Sequence, residues 1–315
     1  MRRISSTYLN ILLLFECISL CRALSMMTIK HTHKLAPSQI KCNELAQSYP
    51  VTLISKLFSS VPKREFAIQD LTLSFGNIKE GEGMEDEDDD EKSERNNFIL
   101  LVGRSASGKT TLLRILSGGE EPGSGYVLLN GSNLYNSELV DGEVLPVRVS
   151  PKPVFIDTKP DYYDEKFTVL EHIMNAADCE KNESSSDFVK GLAKEFATIL
   201  NLSHKQINGF SSALSPSGQY LFGIACACME SSCASMKHIN NDCTEIEIPH
   251  PVLLLDELLD KETSSIANTV GKGIQNLTRK GAIVLAATHC PAYLTDCADR
   301  LVTLSGGKIL MNEIL

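Results

Sequence analysis

A glycine-rich stretch, GRSASGKTT, has the residue types and the spacing of a phosphate-binding loop. Gly103 is followed by four residues and then by Gly108, Lys109 and Thr110, which satisfies the pattern G-x4-G-K-[S/T]. In such loops, successive backbone N–H groups curl around nucleotide phosphates, the lysine neutralises phosphate oxygens, and the threonine hydroxyl binds Mg²⁺. The predicted nucleotide-binding residues are Gly103, Arg104, Ser105, Ala106, Ser107, Gly108, Lys109, Thr110 and Thr111.

The residues on either side of this loop support the same prediction. FILLV, directly before it, is an apolar run typical of a fully buried strand, and TTLLRILSG has apolar residues at helical spacing. A strand, a glycine loop and a helix are the context in which this pattern binds phosphate. A Gly/Ser turn without function is therefore the weaker interpretation.

A second chemical motif is PVLLLDE, in which four apolar residues precede Asp256 and Glu257. At the end of a buried strand, Asp256 would hold the Mg²⁺ shell, and Glu257 would orient or deprotonate a water that attacks the γ-phosphate. Acidic residues also end many ordinary strands, but the presence of Lys109 in the same chain weakens that alternative. The two motifs together predict a nucleotide-hydrolysing site.

Beyond residue 64, strand-like and helix-like stretches alternate, which predicts an α/β fold with a mainly parallel sheet. The predicted strands are FAIQDLTLSF, FILLVG, VLLNG, PVFID, PVLLLDE, AIVLAATH and RLVTLSGG. Between PVFID and PVLLLDE, the helix-rich interval of about 160–230 is predicted to form a separate helical lobe.

Four motifs in a fixed order, GRSASGKTTLLRILSG, LSPSGQ, PVLLLDE and ATH, resemble those of the ATP-binding cassette (ABC) ATPase family. The resemblance runs from about Phe66 to the C-terminus and implies an ABC-type ATP-binding domain over residues 64–315, with a P-loop NTPase core and an antiparallel β portion. It also implies Mg²⁺-dependent ATP hydrolysis by the ATPase subunit of a transporter. Such subunits act as homo- or heterodimers and meet the membrane through a separate transmembrane subunit.

The resemblance assigns roles to single residues. His289, in AATHC, corresponds to the switch histidine that contacts the γ-phosphate, so Lys109, Glu257 and His289 are the predicted catalytic residues. Phe75, in DLTLSF, is a candidate for stacking on adenine, and an ordinary core phenylalanine is an equally good interpretation.

Two departures from the family pattern concern acidic residues. Where the family has a glutamine that ligates Mg²⁺, this chain reads PVFIDTKP, which makes Asp157 a candidate metal ligand beside Thr110 and Asp256. The loop after Glu257 also differs from the family loop, and Asp260 is the only acidic residue near enough to serve in it.

The stretch LSPSGQ is a degenerate form of the family signature Leu-Ser-Gly-Gly-Gln, whose N–H groups bind the γ-phosphate held by the other subunit. Pro216 and Ser217 replace the usual serine and first glycine, so the predicted nucleotide contacts are Ser217, Gly218 and Gln219. Proline has no N–H to donate, although the first turn of a helix tolerates it. An alignment that uses residues 214–215 as the first two signature positions requires one extra residue and stays open.

Composition and charge limit the classes of partner. The chain has 315 residues, of which 43% are hydrophobic and 6% aromatic, and it contains no Trp, which argues against a stacking platform for nucleic acid. The formal charge of −10 is concentrated between Glu80 and Glu94, where the net charge is −9. No basic surface for nucleic acid is expected, and residues 78–97 are predicted to form a disordered acidic insert.

Two further features concern the segment before PVLLLDE. Residues 229–247 are predicted to be an insertion between the signature helix and that strand. Cys226, Cys228 and Cys233 do not have the spacing of a zinc site, so free thiols are favoured over metal ligands.

The N-terminal residues resemble targeting sequences. Residues 1–25 place two arginines before a short apolar run, which is the layout of a secretory signal peptide. Six basic residues and one acid follow between Met26 and Arg64, so residues 26–63 are predicted to be a basic, transit-like segment. This order favours a plastid, with a mitochondrion, another membrane-associated compartment or a disordered tail as alternatives. No segment after residue 25 is apolar enough to span a bilayer.

Two other functions stay open. A non-transport ABC ATPase, such as one serving iron–sulfur assembly, would have a soluble partner in place of a membrane protein. The altered residues Asp157 and Pro216 also fit a nucleotide-binding regulatory subunit with little hydrolysis of its own. A GTPase is less favoured, because the chain has no Asn-Lys-x-Asp motif.

Overall fold

The computed structural model of the protein describes residues 34–36, 39–48, 66–76, 96–135, 137–140, 143–146, 151–157, 166–177, 183–234, 247–257 and 259–315. The strands are β1 (Lys34–Ala36), β2 (Gln39–Ser48), β3 (Phe66–Gly76), β4 (Phe98–Val102), β5 (Ser124–Leu129), β6 (Ser132–Asn133), β7 (Ser137–Val140), β8 (Glu143–Pro146), β9 (Val154–Ile156), β10 (Glu247–Pro249), β11 (Val252–Asp256), β12 (Ile283–Thr288), β13 (Arg300–Ser305) and β14 (Lys308–Ile314). The α-helices are α1 (Lys109–Leu116), α2 (Val169–Asn175), α3 (Glu183–Ile199), α4 (His204–Ile207), α5 (Pro216–Cys233) and α6 (Ser264–Arg279). Short 3₁₀ helices lie at Ser211–Ala213, Pro291–Tyr293 and Thr295–Cys297.

The central sheet has the strand order β14-β13-β4-β12-β11-β9. Its neighbouring strands are parallel, except that β13 pairs with the edge strand β14 in the antiparallel sense. All residues of β11 and β12 are buried, which explains why both strands are nearly continuous apolar runs. The predicted α/β fold with a mainly parallel sheet is confirmed. Because parallel strands end at the same edge, the residues that follow β4, β11 and β12 lie near one another.

The central sheet is packed on both faces. Phe98 and Leu100 of β4 belong to a hydrophobic cluster that includes α2, α3, α5 and α6. Ile99 and Leu101 alternate with them and belong to a second cluster that includes α1, β2, β3 and β5. Burial on both faces fixes the register of β4 and therefore the position of the loop that follows it.

A second sheet, with the order β3-β2-β5-β6, is antiparallel and forms the expected antiparallel β portion. Its strand β2 lies inside the segment 26–63 that was predicted to be transit-like. Ile40 and Cys42 of β2 are each 1% exposed, whereas Lys41 between them is exposed. The predicted domain start at residue 64 is therefore wrong, because β1 and β2 pair with strands of the folded domain. Because the segment 26–63 is basic, it was interpreted as a targeting sequence, and the alternation of buried and exposed residues in β2 was not recognised.

The helices α2 to α5 form the predicted helical lobe between β9 and β10, with α5 packed against α2, α3 and α6. Fourteen of the 18 residues of α5 are buried, which makes it a core helix. The helix continues to Cys233, so the insertion predicted to begin at Met229 starts too early. Both of these residues are 0% exposed, and residues 235–246 lie outside the described residues.

The last residues of the predicted acidic insert belong to the fold. The N-terminal leader and residues 77–95 lie outside the described residues. Asn96, however, donates from its side chain to the Ser74 carbonyl and accepts from the Gly76 N–H, and Asn97 is 6% exposed. The prediction of disorder is wrong for these two residues, because Asn96 bonds to the end of β3 and Asn97 donates to the Asp299 carboxylate and the Thr278 carbonyl.

The cysteines of α5 are buried free thiols. Burial raises the pKa of Cys226 and Cys228, which keeps both thiols protonated and disfavours metal binding. This finding agrees with the predicted free thiols. No helix among the described residues, α5 included, combines the length and the hydropathy that a bilayer span requires.

Candidate functional site

The predicted phosphate-binding loop connects β4 to α1. A Cβ at Gly103 would lie 2.4 Å from the Leu304 carbonyl oxygen and 2.6 Å from Ser107 Oγ, so only glycine fits there. Ala106 and Gly108 have left-handed backbones, with φ values of 60° and 104°. These turns bring the N-terminus of α1 to the carboxyl edge of the central sheet. A helix N-terminus at this position favours an anion such as a nucleotide phosphate.

Lys109 is the first residue of α1 and is only 4% exposed. Its Nζ donates to the Gly103 carbonyl at 2.9 Å, and it lies 3.5 Å from His289 Nε2 and 3.9 Å from Glu257 Oε1. Burial lowers the pKa of Lys109, and nearby carboxylates, chiefly that of Glu257, oppose this shift. A buried ammonium group at the N-terminus of a helix is well placed to bind phosphate oxygens.

Glu257 and His289 meet at the same edge of the sheet, directly after β11 and β12. Glu257 Oε1 lies 2.7 Å from His289 Nε2. The Glu257 backbone is left-handed, with φ 53°, and its N–H donates to the Ala287 carbonyl at 2.9 Å. The Glu257 side chain is 46% exposed and can therefore contact water. A carboxylate that is fixed by an imidazole and open to solvent has the arrangement expected of a general base.

Asp260 holds the histidine in place from the loop after β11. Its carboxylate accepts a hydrogen bond from the Thr288 hydroxyl and another from the His289 N–H, the second at 2.8 Å. This is the acidic residue that the sequence placed in the divergent loop. Its side chain is bound to the end of β12 of the same chain.

Asp256 and Thr110 form a donor set that fits Mg²⁺. The Asp256 side chain accepts a hydrogen bond from the Thr110 hydroxyl, which partly offsets the rise in the pKa of Asp256 caused by burial. Among the described residues, the buried Oδ1 of Asp256 has no hydrogen-bond partner. Mg²⁺ binds carboxylate and hydroxyl oxygens, so an unpaired carboxylate oxygen beside a threonine hydroxyl suits this ion.

Asp157, the third predicted metal ligand, follows β9. Because Ile156 of β9 pairs with Leu255 of β11, Asp157 lies at the same sheet edge as Asp256, one strand away. Asp157 is exposed. Its role in metal binding stays a prediction.

Comparisons with known proteins agree with this geometry. A family model described as "ABC transporter" matches residues 88–234. The phosphonates import ATP-binding protein PhnC of Hydrogenovibrio crunogenus is 27% identical over 228 residues, which cover 70% of this chain and 74% of that protein. The cell division ATP-binding protein FtsE of Bacillus subtilis is 26% identical over 219 residues, which cover 69% and 83% of the two chains.

Solved structures support the same fold. The chain matches cbiO1 from Clostridium perfringens, part of the ABC transporter complex cbiONQ, with a TM-score of 0.58 at 15% identity over 89% of each chain. It also matches a dimeric bacterial ABC transporter cassette with a TM-score of 0.53 at 17% identity, over 88% of this chain and 98% of that one. The chain has the fold of an ABC nucleotide-binding domain. Its core is therefore that of a P-loop NTPase, as the motif order predicts.

The predicted signature segment, LSPSGQ, forms the start of α5. Ser215 caps the helix, and its hydroxyl accepts from the Gly218 N–H at 3.2 Å, while Pro216 is the first helical residue. The Ser217 hydroxyl lies 3.2 Å from that of Ser215, and the Gln219 N–H donates to the Ser215 carbonyl at 2.9 Å. The Gly218 and Gln219 N–H groups, both predicted to contact nucleotide, are therefore bonded within the helix.

Ser215 is the site residue that sequence reasoning left out of its predicted contacts. A serine directly before a proline is typical of a helix N-cap followed by the first helical position, and this signal favours the alignment in which residues 214–215 begin the signature. The capping bond of Ser215 supports that alignment. Contact between Ser217 and a nucleotide stays a prediction.

Of the two interpretations of Phe75, stacking on adenine is wrong and the core phenylalanine is confirmed. Phe75 is 0% exposed within the cluster that includes β2, β3 and α1, so it cannot offer its ring to adenine. The phosphate loop lies at the opposite end of β3, because the Gln69 N–H bonds to Gly307 and the Gly307 N–H bonds to Ser107 of that loop. β2 ends beside that end of β3, and Tyr49, the next residue in the sequence after Ser48, lies outside the described residues.

Proposed function

We propose that the chain binds ATP with Mg²⁺ and hydrolyses it to ADP and phosphate, as the ATPase subunit of an ABC transporter that powers a separate membrane subunit. The observation that carries this proposal is the cluster at the sheet edge, where Glu257 lies 2.7 Å from His289 and 3.9 Å from Lys109. The proposal draws further support from relatives such as PhnC, which is an import ATP-binding protein for phosphonates.

Each residue of the cluster has a distinct task in the proposed reaction. Lys109 and the N-terminus of α1 hold the β and γ phosphates, and His289 contacts the γ-phosphate. Glu257 orients a water and accepts its proton as the water oxygen bonds to the γ-phosphorus and the bond to the β-phosphate oxygen breaks. Asp256 and Thr110 would hold Mg²⁺, which neutralises phosphate charge when it is bound.

The proposal includes a dimer in which the start of α5 faces the nucleotide of the other subunit. Ser215 and Pro216 are exposed at this end of the helix, so a partner can reach them. One structural neighbour is a dimeric cassette, which supports the same arrangement. The partner is either a second copy of the chain or a related ATPase.

Nucleotide binding tests the proposal at its first step. Lys109→Ala removes the buried ammonium and should weaken binding of ATP with Mg²⁺ by about a hundredfold. Lys152→Ala is the matched control, because Lys152 is exposed and pairs with Glu230 away from the site. Isothermal titration that finds equal affinities for wild type and Lys109→Ala would contradict the proposal.

The start of α5 favours a second candidate function, a regulatory subunit with little hydrolysis of its own. Pro216 has no N–H to donate, and the N–H of Gly218 is bonded to Ser215. A slow wild-type rate that Glu257→Gln leaves unchanged would support this second function. Co-purification tests the remaining alternative, a non-transport ABC ATPase. A soluble scaffold protein that co-purifies with the chain, in place of a membrane protein, would indicate this function.

We also propose that residues before β1 direct the chain to an organelle, with a plastid favoured over a mitochondrion. The folded domain includes β1, so a removable leader has to end before Lys34. A fluorescent protein that carries residues 1–33 tests this proposal. Diffuse fluorescence throughout the cytosol would contradict it.

A further inference from the structure

Tyr220 connects the second turn of α5 to the loop that follows β11. Its side chain is 5% exposed, and its hydroxyl donates to Glu262 Oε1 at 2.5 Å. Glu262 is held in turn within the loop, because its N–H donates to the Leu259 carbonyl at 3.1 Å. A hydrogen bond from a buried phenol to a carboxylate is among the stronger kinds in proteins.

The same loop controls the position of the switch histidine. Asp260, two residues before Glu262, accepts from the His289 N–H at 2.8 Å and also from the Thr288 hydroxyl. Its own N–H donates to the Glu257 carbonyl at 3.3 Å. The hydrogen bond of Tyr220 therefore lies a few residues from both groups that are proposed to act on the γ-phosphate.

We propose that Tyr220 is a positioning residue that couples the start of α5 to His289 of the same chain. The proposal rests on the proposed ATPase function, in which the start of α5 binds the nucleotide of the other subunit. A shift of α5 on binding would move Glu262, then Asp260, and so His289. Occupation of one nucleotide site would in this way be transmitted to the histidine of the other site.

Hydrogen exchange of the His289 amide tests the connection without any nucleotide. Tyr220→Phe keeps the ring and removes the hydroxyl, so the loop should open more often and the His289 amide should exchange about tenfold faster. Tyr135→Phe is the matched control, because the Tyr135 hydroxyl bonds to the carbonyls of Ile115, in the last turn of α1, and Glu120, beyond that helix. Equal His289 exchange in wild type and Tyr220→Phe, or equal acceleration in both variants, would overturn the proposal.

Enzyme kinetics provide the second readout. Tyr220→Phe should lower kcat by about fivefold and leave the affinity for ATP within about twofold, since the phosphate loop is untouched. Glu262→Gln keeps an acceptor oxygen and should retain the wild-type rate, whereas Glu262→Ala should match Tyr220→Phe. In the double variant Tyr220→Phe with Glu262→Ala, the losses should not add. Additive losses would overturn the proposal.

The two readouts separate this inference from the proposed function. A wild-type chain without ATP hydrolysis would contradict the ATPase function, while faster exchange at His289 in Tyr220→Phe alone would still support the connection. A normal ATPase whose His289 amide and kcat are unchanged in Tyr220→Phe would contradict only the role of Tyr220.

Discussion

The edge of the central sheet and the start of α5 both carry motifs that are predicted to bind nucleotide, but the two regions are built differently. At the sheet edge, Glu257 and His289 directly follow two strands, Lys109 begins the helix after a third, and the three side chains lie 2.7–3.9 Å apart. At the start of α5, the polar contacts are local, with Ser215 capping Gly218 within one helical turn. The sheet edge is therefore a site assembled by tertiary structure, whereas the start of α5 is a local structure that, in the proposed dimer, would face the nucleotide of a second subunit.

The sheet edge and the start of α5 also differ in backbone conformation. At the sheet edge, Ala106 and Glu257 have φ values of 60° and 53°, which are unfavourable for residues with a side chain. At the start of α5, Ser215 has φ −62°, an ordinary value. Strain of this kind persists only where the surrounding structure enforces it, and it concentrates at functional sites.

Removal of a metal ligand at the sheet edge should have the largest effect. Asp256→Asn should lower Mg²⁺-dependent ATP turnover by about a hundredfold, because it removes the charge of the buried carboxylate. Asp157→Asn should lower it by less than about fivefold, because Asp157 is exposed. Mg²⁺ titrations of the ATPase rate compare the two variants, and similar losses in both would show that Asp157 is an equal ligand.

Loss of the Asp260 carboxylate, which holds His289 in place, should have the next largest effect on ATP turnover. Asp260→Ala removes the acceptor of the Thr288 hydroxyl and the His289 N–H, so we expect kcat to fall by about tenfold with little change in ATP affinity. Asp296→Ala, at an exposed position, is the control. An unchanged kcat in folded Asp260→Ala would mean that the position of His289 does not depend on this loop.

A substitution at the start of α5 should raise the rate of ATP turnover, in contrast to the substitutions at the sheet edge. Pro216→Gly restores an N–H in the first turn of the helix, so we expect ATP turnover at saturation to rise by about twofold to threefold. ATP affinity of the isolated chain should not change, because the phosphate loop is separate. A rate that falls, measured by phosphate release in the dimer, would show that Pro216 is required for the shape of this end.

The smallest expected effect tests the strain at the sheet edge. Ala106→Gly should raise the free energy of unfolding by about 1 kcal/mol, because glycine adopts the left-handed backbone without a steric cost. The same substitution at Ala193, inside α3, should lower it by about 1 kcal/mol or more. Urea denaturation measures both changes. A loss of stability in Ala106→Gly would contradict the interpretation that the loop is strained.

The sequence predicted the sheet edge well because each of its residues follows a buried apolar run. Asp256 and His289 come at the ends of β11 and β12, and the residue spacing of the phosphate loop is specific in itself. The parallel arrangement of the strands then brings these ends together. The periodicity of apolar residues and the spacing of the motifs can be read from the sequence, so the main strands and the helical lobe could be predicted from them.

Other features could not be obtained from local pattern. β2 was missed because the segment around it is basic and resembles a transit segment, although Lys41, the one basic residue of β2, lies exposed between buried Ile40 and Cys42. Whether Phe75 lies near the nucleotide depends on which end of β3 faces the phosphate loop. Only hydrogen bonds between residues far apart in the sequence, from Gln69 to Gly307 and from Gly307 to Ser107, determine this. The contact between Tyr220 and Glu262 joins residues 42 positions apart and has no sequence signal.

The rate of phosphate release by the purified chain with ATP and Mg²⁺, compared between wild type and Glu257→Gln, tests the central claim most directly. Glu257→Gln keeps the shape of the side chain and removes its ability to accept a proton. The proposed mechanism predicts that the rate falls by about a hundredfold while ATP binding persists. Equal rates in the two proteins would contradict the claim that this sheet edge hydrolyses ATP.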